Sequence, residues 1–131
     1  MTTVTDLIPN LTALLGESAV LTKAEDLVPY GFDGTAAIRT RPGVVVLPDT
    51  TAQVSGCVKM AHAAGVPIVT RGSGTGLSGG SVPSPDALVI CLAQMDKILE
   101  VDVENLTLRA QAGAVTMKID EAAGRHGLLY P

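Results

Sequence analysis

The residues best equipped for chemistry stand together at positions 71–80: Arg71-Gly72-Ser73-Gly74-Thr75-Gly76-Leu77-Ser78-Gly79-Gly80. Five glycines in ten residues need a reason, because glycine loses more backbone freedom on ordering than any other residue. One reason is a backbone that runs close to a ligand, with successive N–H groups turned inward as an anion-binding nest. Ser73, Thr75 and Ser78 add hydroxyl donors, and Arg71 adds a positive charge at the loop's entrance. That collection suits a diphosphate. The alternative is a flexible surface loop, but flexible linkers rarely follow a buried strand and carry an arginine at their root.

Context separates the kinds of phosphate loop. The stretch from Gly74 to Gly79 satisfies the spacing GxGxxG, with Asp96 and Glu100 at a suggestive distance beyond it. A dinucleotide fold of that type needs a helix to open on the glycines. Here Ser81-Val82-Pro83-Ser84-Pro85 follows, and two prolines so placed do not continue a helix. The Walker A pattern fails as well, because Gly80 stands where its lysine belongs. What remains is a loop of backbone amides that leads straight into another strand.

Other reactive side chains read as structural. His62 lies in an amphipathic helix as a surface or packing residue, without partners at metal-ligand spacing. His126 closes the last helix, where a cation complements the dipole. Asp33 and Asp96 read as turn or cap residues rather than general bases. Cys57 and Cys91 lie in apolar surroundings with no CxxC pair, and read as buried, reduced thiols.

The elements that must position the loop follow from periodicity. Residues 44–47 form an apolar, β-branched run typical of a buried strand. Thr50 and Gln53 make a capping-box pair at the start of a helix. Val54, Cys57, Val58, Ala61 and Ala64 repeat along that helix, and Gly65 and Pro67 end it. Residues 68–70 are the next strand, giving a parallel βαβ unit. After the glycine loop come a strand over 87–92 and an alternating hairpin over 99–110 with its turn at Glu104-Asn105. A last helix spans 116–126 and stops at Gly127. Upstream, residues 5–15 place Leu7, Ile8, Leu11, Leu14 and Leu15 on one helical face ended by Gly16, and a short helix covers 23–28. Residues 30–42 read as a loop. The class is α+β.

Composition sets outer bounds. With 131 residues, 47% of them hydrophobic, the chain can build one real core and is too short for two. The formal charge of −4 and the scattered Lys and Arg argue against nucleic acid, which needs a concentrated basic face. The N-terminus lacks a basic start followed by an apolar run, and no stretch approaches the ~18 apolar residues needed to span a bilayer. A cytoplasmic location is the expectation.

Pro48, the helix after it, the strand 68–70 and the run from Arg71 to Ser81 resemble the FAD-binding half of flavoenzymes of the vanillyl-alcohol oxidase and p-cresol methylhydroxylase type. Within that family the likeness is to its glycolate oxidase flavoprotein and D-lactate dehydrogenase branch. It runs from about Tyr30 to Pro131 and includes Asp33, Pro42-Gly43, Ala112-Gly113 and the closing His126-Gly127-Leu128-Leu129-Tyr130-Pro131. The resemblance implies that residues 71–80 wrap the FAD pyrophosphate. It also implies that Pro131 opens a proline-rich stretch near the flavin ring. Some relatives attach FAD through a loop histidine; Thr75 stands at that position here, so the resemblance implies non-covalent FAD.

Residues 1–35 read as an N-terminal helical arm, and by the resemblance 36–131 form the first lobe of an FAD-binding domain. The remaining lobe and a substrate domain would lie outside this chain, making it an inactive fragment of an oxidoreductase acting on a small 2-hydroxy acid. Exposed strand edges would then favour a homodimer or partner subunits, through which membrane association could arise. Two other readings stay open: a non-catalytic half-domain serving assembly, and a different flavoenzyme on the same domain, such as the reductase of UDP-N-acetylenolpyruvylglucosamine.

Overall fold

In the computed structural model, residues 2–35 and 37–131 are described. A 3-10 turn, Val4–Leu7, runs directly into helix α1, Ile8–Leu15. Pro9 falls in the first two positions of α1, where its missing N–H is no loss. Gly16, at φ 88°, ends it. Strand β1, Val20–Leu21, and helix α2, Ala24–Leu27, follow, with a 3-10 turn at Val28–Tyr30. The sequence pattern predicts only helices in this segment. Two residues of strand are too few to display a period of two, so β1 is an addition made by its partner.

That partner is strand β2, Val44–Val46, which continues through helix α3, Thr51–Ala64, and strand β3, Ile68–Arg71. After the glycine loop come strand β4, Leu88–Cys91, the hairpin of β5, Ile98–Asp102, and β6, Thr107–Ala110, and helix α4, Thr116–Gly124. The larger sheet has the order β1-β2-β4-β3, with β1 antiparallel to β2 and the other pairings parallel. The two strands of the βαβ unit are therefore parallel, as expected, but not adjacent. Strand β4 lies between them because all four of its residues are apolar and buried, whereas β3 exposes Thr70 and suits an edge.

Alternation through the sheet builds two cores. Val44, Val46, Leu88 and Ile90 face α1 and α3, with Leu11, Cys57 and Ala61. Val45, Val89 and Cys91 face the other way, against Leu27 and partly buried Tyr30. The N-terminal segment thus supplies Val4, Leu7 and Leu11 to the first core and Leu27 to the second. Gly56 lets the helices meet: a Cβ there would stand 2.6 Å from a Leu14 Cδ atom.

Helix α3 starts as its residues dictate. The Thr50 hydroxyl accepts the Gln53 N–H at 3.2 Å, while Gln53 Oε1 reaches one residue further back, to the Asp49 N–H at 2.7 Å. Removing that cap with Thr50→Ala should cost about 1 kcal/mol of stability. A lowered urea midpoint at constant slope would show it; an unchanged midpoint would contradict it. Cys57 and Ala61 are buried and Met60 and Ala64 partly so, but Val58, predicted on the same face, is exposed. It lies roughly 100° around the helix from Cys57, on the rim of the stripe.

The hairpin departs from simple alternation at Leu99. A bulge between Ile98 and Glu100 leaves Leu99 unpaired and 53% exposed, while Val101 faces Leu108 and Glu100 pairs with Arg109 at 3.1 Å. Past Gly124, the N–H of Gly127 bonds the Gly124 carbonyl and that of Leu128 the Ala123 carbonyl, with Gly127 at φ 71°. This is a Schellman closure. His126 thus sits in the closing turn rather than the regular helix. Among the described residues, no helix is long and apolar enough to cross a membrane.

Candidate functional site

The glycine loop leaves the sheet at Arg71, the last residue of β3, where the parallel strands present their carboxyl ends. Open parallel sheets place ligands at that edge. No helix opens on the glycines: residues 72–87 run irregularly into β4, as the two prolines dictate. Cys91, at the matching end of β4, directs its thiol toward the Gly72 carbonyl at 3.6 Å. Cys57 and Cys91 are both free and buried, and burial pushes the Cys57 thiol up.

Arg71 does not stand at the loop's mouth as an exposed charge. It is only 7% exposed, and its Nη1 donates to the Phe32 carbonyl at 3.0 Å while Nη2 donates to the Ser73 carbonyl at 3.4 Å. Its guanidinium also lies 5.4 Å from the Tyr30 ring centroid. Burial, then the Cys91 thiol, raise the Tyr30 phenol above its ordinary value, with Arg71 opposing them. Gly74 crosses directly over the guanidinium at φ +76°; a Cβ there would lie 1.6 Å from Nη2. No side chain fits.

The loop is clasped by residues 31–35 and Thr40, in a stretch whose composition predicts only a connector. The Gly34 N–H bonds the Gly76 carbonyl at 2.8 Å, and the Thr40 N–H bonds Gly31 at 2.9 Å. The Thr40 hydroxyl donates to the Pro83 carbonyl beyond the loop. Asp33 is 8% exposed, and its Oδ1 accepts the Thr35 N–H at 2.7 Å, the Asx-turn expected of a turn residue. That bond is the main reason its carboxyl is held below the usual carboxylate range. The N–H groups of Ser81 and Gly79 act in the same sense, without closing to bonds of normal geometry. Asp33 Oδ2, Thr35 Oγ1 and Arg71 Nε are buried with no hydrogen-bond partner. The signal in the sequence was an aspartate two residues before a threonine, between glycines.

The outer side of the loop is open. Gly72 and Gly80 would meet nothing within 4 Å if given a Cβ, and neither takes a left-handed φ. Thr75, Gly76, Leu77 and Ser78 are exposed, as is Ser73, with Leu77 at 79%. Residues 71–80 are thus held together as one feature. Pro131 stands elsewhere, in an apolar cleft of about 440 Å³ between the hairpin and α4, lined also by Leu108, Ile119 and Tyr130. None of residues 71–80 lines that cleft.

His62 and His126 are exposed and take no part in the loop. Asp96 pairs with Lys118 at 2.8 Å, a bond that lowers its pKa and ties α4 to the approach to β5. Among the described residues, no group of three or more His, Cys, Asp or Glu side chains is placed to hold a metal ion.

Comparison with known proteins identifies the family and the fold. The sequence pattern of a family described as "FAD binding domain" matches residues 42–131. The chain is 39% identical over 111 residues to the glycolate oxidase subunit GlcD of Escherichia coli (strain K12), covering 85% of this chain and 22% of that protein. It is 42% identical over 106 residues to a D-lactate dehydrogenase of Archaeoglobus fulgidus, covering 78% and 24% respectively. Among solved structures, p-cresol methylhydroxylase with substrate bound superposes with a TM-score of 0.83 at 25% identity, covering 95% of this chain and 25% of that one. The chain therefore spans about a quarter of the length of each.

Proposed function

This chain belongs to the FAD binding domain family, and from that premise we propose that residues 71–80 cradle the FAD pyrophosphate. The observation that carries the reading is the open backbone at Gly72 and Gly80. The protein itself makes no use of glycine there, since no neighbour lies within 4 Å and no left-handed φ requires it. A ligand laid against the backbone does. The exposed N–H groups of the loop and the hydroxyls of Ser73, Thr75 and Ser78 would hold the phosphate oxygens. Gly34, bonded to Gly76, and Arg71, beneath Gly74, fix the shape they hold it in.

The loop holds no histidine, with Thr75 at the position implied for covalent attachment, so the flavin is non-covalent in this reading. Bound FAD would supply the acceptor for a hydride from the α-carbon of a small 2-hydroxy acid. The names of the similar proteins, glycolate oxidase subunit and D-lactate dehydrogenase, support that substrate class. The residues that would contact such an acid lie outside the glycine loop, and the 131-residue chain is proposed to be inactive alone. The rest of the cofactor site and the substrate site would come from further chain or from partner subunits.

Titration of this chain with FAD, followed by flavin fluorescence and calorimetry, tests the reading. Saturable binding at one site per chain, competed by ADP and released by acid precipitation, is expected. A chain that leaves flavin fluorescence and ADP unaffected at millimolar concentration would sink it.

A further inference from the structure

We propose that Asp33 and Arg71 are positioning residues of the cofactor site, two buried opposite charges that fasten the glycine loop from beneath without pairing with each other. The proposal rests on the reading of the loop as an FAD cradle and deepens it. Charged side chains are rarely buried unless paired, yet the two ion pairs among the described residues are exposed ones elsewhere. Arg71 instead meets backbone carbonyls on both sides of the seam, Phe32 in the clasp and Ser73 in the loop. Asp33 accepts the Thr35 N–H and so shapes the turn that holds Gly34, whose own N–H bonds the Gly76 carbonyl of the loop.

The division of labour follows the loop's length. Arg71 holds its first turn, where Gly74 passes over the guanidinium. Asp33 faces its second half, where Oδ2 would be 3.9 Å from a Cβ on Gly76. Between them, the Gly34–Gly76 bond closes the seam. Charged anchors make stronger hydrogen bonds to backbone than neutral ones do, which suits a loop whose glycines supply no packing of their own. Both residues are more than nine-tenths buried and each retains an unpartnered polar atom, Asp33 Oδ2 and Arg71 Nε. Neither is a phosphate ligand in this arrangement; each acts by fixing where the loop's amides point.

The test compares the parent chain with Asp33→Asn, Arg71→Lys and the double variant, by amide-resolved NMR with and without FAD. Asn keeps the shape of Asp33 but turns one acceptor into a donor facing N–H groups. Lys keeps the charge of Arg71 but not its two-pronged reach. Each single variant should weaken FAD binding about tenfold, equivalent to roughly 1.4 kcal/mol. The double variant should fall well short of the hundredfold product, because both anchors shape one loop. Amide protection at Gly34, whose N–H bonds the Gly76 carbonyl of the loop, should drop in Asp33→Asn, while Val45 and Val89 in the central strands keep theirs.

Binding within twofold of the parent in both single variants would overturn the proposal. So would loss of protection at Val45 and Val89, which would make these residues supports of the core instead. A parent chain that ignores FAD would sink the cradle reading. In that case the protection of Gly34, bonded to Gly76, still decides whether Asp33 organises the loop.

Discussion

Gly74→Val should abolish saturable FAD binding by this chain and lower its unfolding free energy by about 2–5 kcal/mol. Two costs combine. The backbone at Gly74 sits at φ +76°, and an L residue there pays roughly 1–2 kcal/mol. The added side chain must also displace the Arg71 guanidinium, because even a Cβ would stand 1.6 Å from Nη2. Overpacking of that kind costs about 1–3 kcal/mol. The guanidinium is the far end of a flexible side chain, but it cannot swing away freely. Its place is fixed by the Phe32 and Ser73 carbonyls and by the Tyr30 ring, so any retreat unfastens the loop from its clasp. Urea denaturation and FAD titration on the same preparation check both halves. A Gly74→Val chain with parental stability and parental FAD affinity would show that the loop has another shape in solution.

Leu11→Ala should destabilise the whole chain by about 2–5 kcal/mol, the cost of a cavity in a core that cannot fully collapse around it. Leu11 is fully buried in the cluster that holds Val44, Val46, Leu88 and Ile90, the central strands of the sheet. Residues of the N-terminal segment therefore cover the same face of the sheet as α3 does. The check is a single unfolding transition, followed by far-ultraviolet circular dichroism, that moves as one to lower urea. A transition that stays in place, with only a little helical signal lost beforehand, would mean that α1 is a detachable appendage. This substitution lies far from the loop in sequence and touches it only through the sheet. At low urea, where the variant is still folded, its FAD affinity should match the parent's, separating stability from binding.

Much of this architecture was legible along the chain because its cues are local. The apolar run at 44–47, the Thr50 and Gln53 cap, the glycine stops at Gly16, Gly65 and Gly127 and the alternating hairpin each act through neighbours a few residues away. The glycine loop was legible for the same reason: composition at one place, following one strand, with prolines that forbid a helix after it. Those cues carried the α+β class, and the resemblance built on them agrees with the family match and with the superposition on p-cresol methylhydroxylase.

What sequence reading missed depends on partners far apart in the chain. Strand β1 exists because Val20 and Leu21 meet Val46 and Val45 across the sheet. Strand β4 enters between β2 and β3 because burial of its two faces and both backbone edges is a property of the assembled sheet. Arg71 reads as a positive charge at the loop's entrance, and nothing near it in sequence announces that the Phe32 carbonyl, 39 positions earlier, will take one of its N–H groups. Asp33 reads as a turn residue and is one, but its carboxylate also lies near Gly76 of the loop. The sequence by itself determined which backbone lies open, through glycine and proline, whose effects are intrinsic to the residue. Only the tertiary structure decided what holds that backbone in shape, because a buried charge is defined by the groups that close over it.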